Sequence, residues 1–406
     1  MMIIDSNILI SELLRQYPET LEIFVANGFQ YFAENDIFSK IGPFIRLKTI
    51  LQTRHINPAV FVKLLEERID SSYPRKYPFE HGGAANSEKL NLLALLPCPL
   101  KLPLQQAFER YLDQEFGIDK TGLNYLIEGN ANNQLSYYQY VDQFEDLADI
   151  PDVIITPGLN NFFYQRFIKR FIDKGFFIDA AYYQPHKRYS QIGIKDPGGN
   201  YTILAMNVLV MVIDHSQIGT TNYPKKWEDI LNPEFEKRVA MRGEKYFFCE
   251  TVLLAIYKTY GMEGIKRLGR SVKYGWHPSQ MAKAAGSGNI GTPAVSIMPY
   301  FFTKAIKHKE NVTVVWPEDG AIISPVTMLV KAEKAKQLEK ITDFFISQEV
   351  GEICAGAYYP SLHPEVEDKI PEGVAFNWLE WDFIKSQDIG KLQKGLNDEF
   401  LASFKK

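Results

Sequence analysis

The stretch "NLLALLPCPLKLPLQQAFERYL" (residues 91–112) carries a cysteine, Cys98, where an apolar run stops at Pro97-Cys98-Pro99 and a helix-period segment follows. A thiol at such a junction has four readings: nucleophile, metal ligand, small side chain lining a binding cleft, or packing. Nucleophilic chemistry needs a base within hydrogen-bond reach and a depressed pKa, and a nearby helix N-terminus supplies part of the second. Cys98, Cys249 and Cys354 form neither a disulfide framework nor a CxxC metal spacing, which fits a reducing compartment. The histidines stand singly at 55, 81, 186, 215, 277, 308 and 363, so no HxH or HExxH metal spacing exists. The tyrosine pairs Tyr137-Tyr138, Tyr182-Tyr183 and Tyr358-Tyr359 read as packing in a chain that is 13% aromatic.

The rest of the composition narrows the classes further. A length of 406 residues with 46% apolar content allows two or three domains with large cores. A formal charge of −4 lacks the basic excess that a phosphate backbone requires, so nucleic acid is not an expected partner. Asp5, Glu12, Arg15 and Glu19 interrupt the first 20 residues, so no secretory signal is read there. A cytoplasmic location is the expectation, with a periplasmic or other extracytoplasmic one as the alternative for a trimmed chain. The longest apolar stretch, "YTILAMNVLVMVID" (201–214), is shorter than the roughly 20 residues of a membrane span and contains Asn207. No membrane-embedded segment is expected.

The elements that must position these side chains fall into three regions. Residues 1–70 read as a small all-α helical domain. Ile8, Leu9, Leu13 and Leu14 form one apolar face; Leu21, Phe24 and Val25 recur before Asn27-Gly28. Asn57-Pro58 then reads as an N-cap followed by a first-turn proline, leading Phe61, Leu64 and Leu65. Residues 71–89, rich in Pro, Gly, Ser and charge, read as a linker. From residue 90 strands alternate with helices: "LNLLALL", a helix bearing Leu104, Ala107, Phe108, Tyr111, Leu112 and Phe116, then "LNYLIEG" and "PDVIITPG". That alternation predicts a mostly parallel sheet covered by helices, with ligands beyond the carboxyl ends of its strands. Those ends place Cys98, Asn130 and Asn160.

A second α/β run begins after 203–213, with "KRVAMRG" and "PAVSIM" as strands and "CETVLLAIYKTYG" as a helix closed by Gly261. "VTVVWPEDGAIISPVTMLV" reads as two extended segments around the turn at Pro317–Gly320, with Asp319 within reach of a cleft. A last helix, "AKQLEKITDFFIS", precedes a tail read as irregular.

The order of these pieces resembles the type II periplasmic-binding-protein family, specifically the ABC-importer substrate-binding proteins related to ferric-iron binders. It is carried by "PDVIITPG", "NPEFEKRVAM" after "YPKKWEDIL", "PEDGAIISPVTMLV" with "AKQLEKITDFFIS", and "YYPSLHPEV". The resemblance implies a two-lobed α/β fold with a hinge: lobe 1 at 90–205, lobe 2 at 206–318, a return to lobe 1 at 319–357, and a tail at 358–406 packing on the lobes. Residues 1–70 resemble another family, the small helical redox-disulfide domain associated with hybrid-cluster proteins, through "YPETLEIFVANGF" and "INPAVFVKLLEERI". Its cysteine pair is replaced here by Phe29, Gln30, Tyr31 and Phe32 after Gly28, which points to docking or dimerisation rather than redox work.

In a cleft built on that plan, loop side chains and helix N-termini face the ligand. The second lobe then contributes Cys249, Glu250 and Thr251 at one helix start and His277, Ser279 and Gln280 at another; capping is the plain alternative for Ser279. Tyr300 lies where ferric binders resembling this chain carry adjacent tyrosines, and Phe301 follows it, so one phenol suited to hard Fe(III) is missing. The expectation is a non-enzymatic solute-binding protein that closes over a small molecule, anion or chelate, with no metal and no cofactor. Its partners would be an ABC permease or a cytoplasmic protein. The rival readings are a cysteine-dependent enzyme using Cys98 and a scaffold that docks a redox partner through residues 1–70.

Overall fold

A computed structural model describes residues 4–27, 29, 42–72, 90–116, 123–129, 137–219 and 221–405. The chain forms two compact units, the first from Met1–Thr156, Arg166–Phe177 and Leu329–Glu339, the second from Pro157–Gln165, Ile178–Met328 and Lys340–Lys406. Among the described residues no helix is long and apolar enough to cross a membrane.

The first unit begins with helices α1 (Ile10–Gln16), α2 (Leu21–Ala26), α3 (Leu47–Gln52) and α4 (Pro58–Ser72). Asn57 caps α4 as its sequence suggests, its Oδ1 accepting from Ala59 N at 2.9 Å, and Pro58 takes the first turn, where its missing N–H costs nothing. Leu13, Phe24, Phe61 and Leu65 are buried, and the Phe24 and Phe61 rings lie 5.2 Å apart. Leu64 departs from the expected apolar face and is 39% exposed. Phe61 and Leu65, four residues apart, make the seam, and Leu64 is rotated off it by about 100°. Gly28, Gln30, Tyr31 and Phe32, and the linker at 73–89, lie outside the described residues.

Strand β1 (Leu90–Leu96) then leads into α5 (Cys98–Phe116), β2 (Leu123–Gly129) and β3 (Val153–Pro157). β1 pairs in parallel with both β2 and β3, with Leu90 opposite Leu123 and Leu92 opposite Val153. A strand flanked on both edges is apolar along its length, which accounts for the buried run Leu92–Leu96. Leu104, Ala107, Phe108 and Leu112 of α5 are buried at the expected spacing. Two charge clusters fasten this unit. Lys331 Nζ meets the Asp152 carboxylate at 3.0 Å with both side chains buried, and Asn91 N donates to the same carboxylate at 2.9 Å. The helical segment is held to residues 145–149: Lys48 pairs with Asp146 at 2.9 Å and Asp149 at 3.2 Å, while Arg46 donates twice to Ala148 O.

In the second unit the long apolar stretch is one strand, β4 (Thr202–Asp214), followed by β5 (Val239–Met241), α6 (Glu250–Ser271), β6 (Val272–Gly275), α7 (Pro278–Ala284) and β7 (Val295–Pro299). β8 (Val312–Val315) and β9 (Ala321–Lys331) complete the sheet. β7, β8 and β9 all run antiparallel to β4, whereas β5 is parallel to both β6 and β7. The two extended segments around Pro317–Gly320 thus pair with β4 rather than with each other. Asp319 in that turn is engaged internally: its carboxylate accepts from Trp227 N at 3.0 and 3.2 Å and from Tyr260 Oη at 3.2 Å.

Two expectations need correction. Gly261 does interrupt α6, with φ 62° and ψ −162°, but helix resumes to Ser271 because Ile265 and Leu268 restart a buried face. The tail is not irregular: after α8 (Ala335–Phe345) come α9 (Gln348–Gly356), α10 (Trp381–Ser386) and α11 (Ile389–Phe404). Ile389, Leu396 and Phe400 bury one face of α11, and its partner is α6. A Cβ on Gly269 of α6 would come within 2.8 Å of Phe400 O, so glycine there permits the close crossing.

Candidate functional site

The parallel strands β5, β6 and β7 end at one edge of the second unit's sheet, and the loops leaving those ends hold most of the side chains singled out from the sequence. Met241 O accepts from Trp276 N at 3.0 Å and Arg242 O accepts from Cys249 N at 2.9 Å, so the ends of β5 and β6 and the start of α6 are joined directly. Between them sits the Phe248 ring. A Cβ on Gly243 or Gly275 would fall within 3 Å of that ring, so both positions require glycine's bare backbone. Phe248 stacks outward on Phe400 at 4.4 Å and Phe404 at 5.0 Å, and Asn397 accepts from Phe248 N and donates to Tyr246 O. Helix α11 thereby fixes the hairpin at 244–247, which presents Tyr246 at 70% exposure.

Charge gives this edge its character. Cys249 is the N-cap residue of α6; burial pushes its thiol up, while the N–H groups of Val252 and Thr251 and the Arg242 guanidinium pull the other way. Glu250 keeps an exposed outer edge, yet the protein crowding its carboxylate raises its pKa, with Arg242 opposing. Burial, then Arg242, lowers the pKa of His277, and Glu244 partly offsets this. Arg242 is therefore the common neighbour of Cys249, Glu250 and His277, and it has no ion pair of its own among the described residues.

His277, not Ser279, caps α7. Its Nδ1 accepts from Ser279 N at 3.2 Å and lies 2.7 Å from Ser279 Oγ, while Gln280 Oε1 accepts from His277 N at 2.9 Å. This reciprocal box occupies the inner polar atoms of His277, Ser279 and Gln280 and leaves His277 Nε2 with no partner among the described residues. The Phe302 ring meets His277 edge-on at 5.8 Å.

That phenylalanine belongs to the single helical turn Tyr300–Thr303 after β7, which brings a second cluster alongside. Tyr300 is 7% exposed and packs edge-on against Trp316 at 4.7 Å and Tyr358 at 5.7 Å. Lys304 Nζ lies 2.7 Å from the Tyr300 hydroxyl, over both the Tyr300 and Tyr358 rings. The missing second phenol is thus accompanied by an ammonium group on the remaining one.

The other candidates lie on other elements. Cys98 is exposed at the first residue of α5 in the first unit, and Gly129 at the end of β2 is its neighbour. The adjoining charges, Lys101 and Glu128, close on each other at 2.8 Å. Asn130 lies outside the described residues. Asn160 caps a turn, its Oδ1 accepting from Phe162 N at 3.1 Å. Sequence reasoning passed over Arg242, Lys304, Trp316 and Lys369. Arg242 had one available signal, its place directly after "KRVAM" at a strand end.

Residues 148–387 match the model of the bacterial extracellular solute-binding protein family, and the chain belongs to that family. Residues 4–62 match a separate domain of unknown function, DUF1858. Among solved structures, the chain resembles the Bordetella ferric binding protein at TM-score 0.52 and 13% identity, over 78% of this chain and 98% of that one. AfuA from Actinobacillus pleuropneumoniae, a periplasmic binding protein solved with exogenous fructose-6-phosphate bound, matches at 0.52 and 12% over 78% and 98%. A two-component system protein of signal transduction matches at 0.53 and 15% over 76% and 99%. No curated protein sequence matches the chain. The fold is accordingly that of the type II periplasmic-binding proteins behind a small helical domain, and the family and the first two neighbours are named for binding rather than catalysis.

Proposed function

We propose that this protein captures a small solute at the β5–β6–β7 edge by hinge closure, and that it either hands the solute to an ABC permease or serves as a cytoplasmic carrier or sensor. The observation that carries the reading is the convergence of Cys249, Glu250 and His277 around Arg242, a guanidinium that closes on no ion pair among the described residues, at the carboxyl ends of parallel strands. Charge left open at such an edge favours a ligand that completes it. β9 supports the hinge, since its residues through Met328 belong to the second unit and the rest to the first. The three free thiols, Cys98 exposed among them, support a reducing compartment, and cell fractionation decides between the two locations.

Native mass spectrometry of the purified full chain tests the capture. A co-purified small mass, retained by wild type and lost from Arg242→Gln with unchanged Tm, is the expected result. A wild-type protein that carries no solute and shows no thermal response to a solute library would remove the reading.

A further inference from the structure

Helix α9 ends in a Schellman arrangement: Tyr359 N donates to Cys354 O at 2.9 Å and Tyr358 N to Ala355 O at 3.0 Å. The residue at the left-handed position of that motif is ordinarily glycine. Here it is Tyr358, with φ 64°, and two lysine ammonium groups lie within cation–π distance of its ring. Lys304 Nζ lies 4.7 Å from the ring centroid on account of the turn after β7, and Lys369 Nζ lies 5.2 Å from it on the strap that follows α9. Lys304 has the Tyr300 hydroxyl as its hydrogen-bond partner and Lys369 the Gly356 carbonyl at 3.4 Å; among the described residues no carboxylate pairs with either. Trp316 closes the far side of Tyr300.

Four segments distant in sequence thus assemble two uncompensated ammonium groups around an aromatic ring held in a backbone conformation that an L-residue rarely adopts. Both lysines are exposed, and stacking on tyrosine alone needs no such strain. We infer that Lys304 and Lys369, both against the Tyr358 ring, seat an oxyanion of the bound solute, a phosphate or carboxylate group. The two ammonium groups supply charge-assisted hydrogen bonds and the ring restricts how the anion can lie. The inference rests on the solute-binding reading and assigns its ligand a chemical class; it also opposes bare ferric iron, which an ammonium 2.7 Å from the phenol oxygen would repel.

The test is calorimetric titration of the full chain with inorganic phosphate and with citrate at low ionic strength, for wild type, Lys304→Gln, Lys304→Arg, Lys369→Gln and Tyr358→Gly. We expect wild type to bind at least one probe, each Lys→Gln change to weaken it by about tenfold or more, and Lys304→Arg to recover part of the loss. Tyr358→Gly separates binding from scaffold, because glycine relieves the backbone: Tm should hold or rise while affinity falls. Unchanged affinity in both Lys→Gln variants, or in Tyr358→Gly, overturns the inference. If native mass spectrometry still shows a captured solute in that case, the capture function stands and only the oxyanion seat is lost. A wild type that binds neither probe yet retains a solute likewise overturns the seat alone; one that does neither overturns both.

Discussion

Cys98 and Cys249 hold equivalent addresses, each at the start of a long helix that follows a strand of a parallel pair, and their surroundings differ in almost every respect. Cys98 is exposed, and the charges beside it, Lys101 and Glu128, neutralise each other. Cys249 is half-buried, its thiol is raised by burial, and the guanidinium beside it has no ion-pair partner among the described residues. The same contrast separates particular charges elsewhere, although the second unit has closed pairs of its own, such as Lys385 with Asp196 and Arg188 with Asp368. In the first unit, Lys331 is closed on Asp152, and Arg46 and Lys48 on Asp149. In the second, Arg242, Lys304 and Lys369 close on no carboxylate among the described residues. Topology nominates a strand end; uncompensated charge is what distinguishes a place for a ligand from a piece of scaffold.

The contrast can be broken most directly at the ion pairs. Lys331→Met leaves the Asp152 carboxylate buried without its cation and should cost about 3–5 kcal/mol in chemical denaturation. Arg242→Gln, which disrupts no pair, should shift stability by no more than about 0.5 kcal/mol while releasing the captured solute. Similar losses of stability in both variants would erase the distinction between scaffold charge and site charge.

A pH titration sharpens it further. His277 has a folded pKa below its ordinary 6.5, so the folded state resists a proton that the unfolded chain accepts, and this contribution to stability is lost as pH falls through 6.5 toward the folded value. Glu250 has the opposite sign. Its folded pKa lies above 4.5, so its contribution is complete below 4.5 and is lost as pH rises through the raised value. Because Arg242 lowers both, Arg242→Gln should move both upward; NMR titration of the His277 ring and the Glu250 carboxyl reads this, and two immobile pKa values would show that no electrostatic cluster exists.

The smallest effect is the loss of Cys98 itself. Cys98→Ala should leave stability and solute retention unchanged. In wild type a disulfide reagent should label Cys98 first, Cys249 slowly, and Cys354 only on unfolding, since burial pushes that last thiol up to about 12. Fast labelling of Cys249 would contradict its burial.

Much of the fold was legible because its signals are local. Asn57-Pro58 announced α4, "LNLLALL" and "PAVSIM" announced strands, and the alternation announced a parallel sheet. Helix α11 was overlooked because its apolar positions, Ile389, Leu396 and Phe400, are thinly spaced among charges; α6 makes them a face. The addresses were legible, since Cys249, Glu250, His277 and Tyr300 do follow strand ends of one sheet edge. Their roles were less so. Ser279 looked like a cap and the cap is His277; Cys98 had four open readings, and the structure shows it exposed beside a closed ion pair.

Amino-acid order alone determined most strands and helices up to α8, their succession and the strand ends, since each depends on residues within a few positions of one another. Tertiary structure decided which charges are paired. Lys331 finds Asp152 and Lys101 finds Glu128, whereas Arg242, Lys304 and Lys369 find no carboxylate among the described residues, and Tyr358 is held left-handed with its ring against two of them. Compensation is settled by through-space distance between residues far apart along the chain, and through-space distance exists only once the sheet has formed.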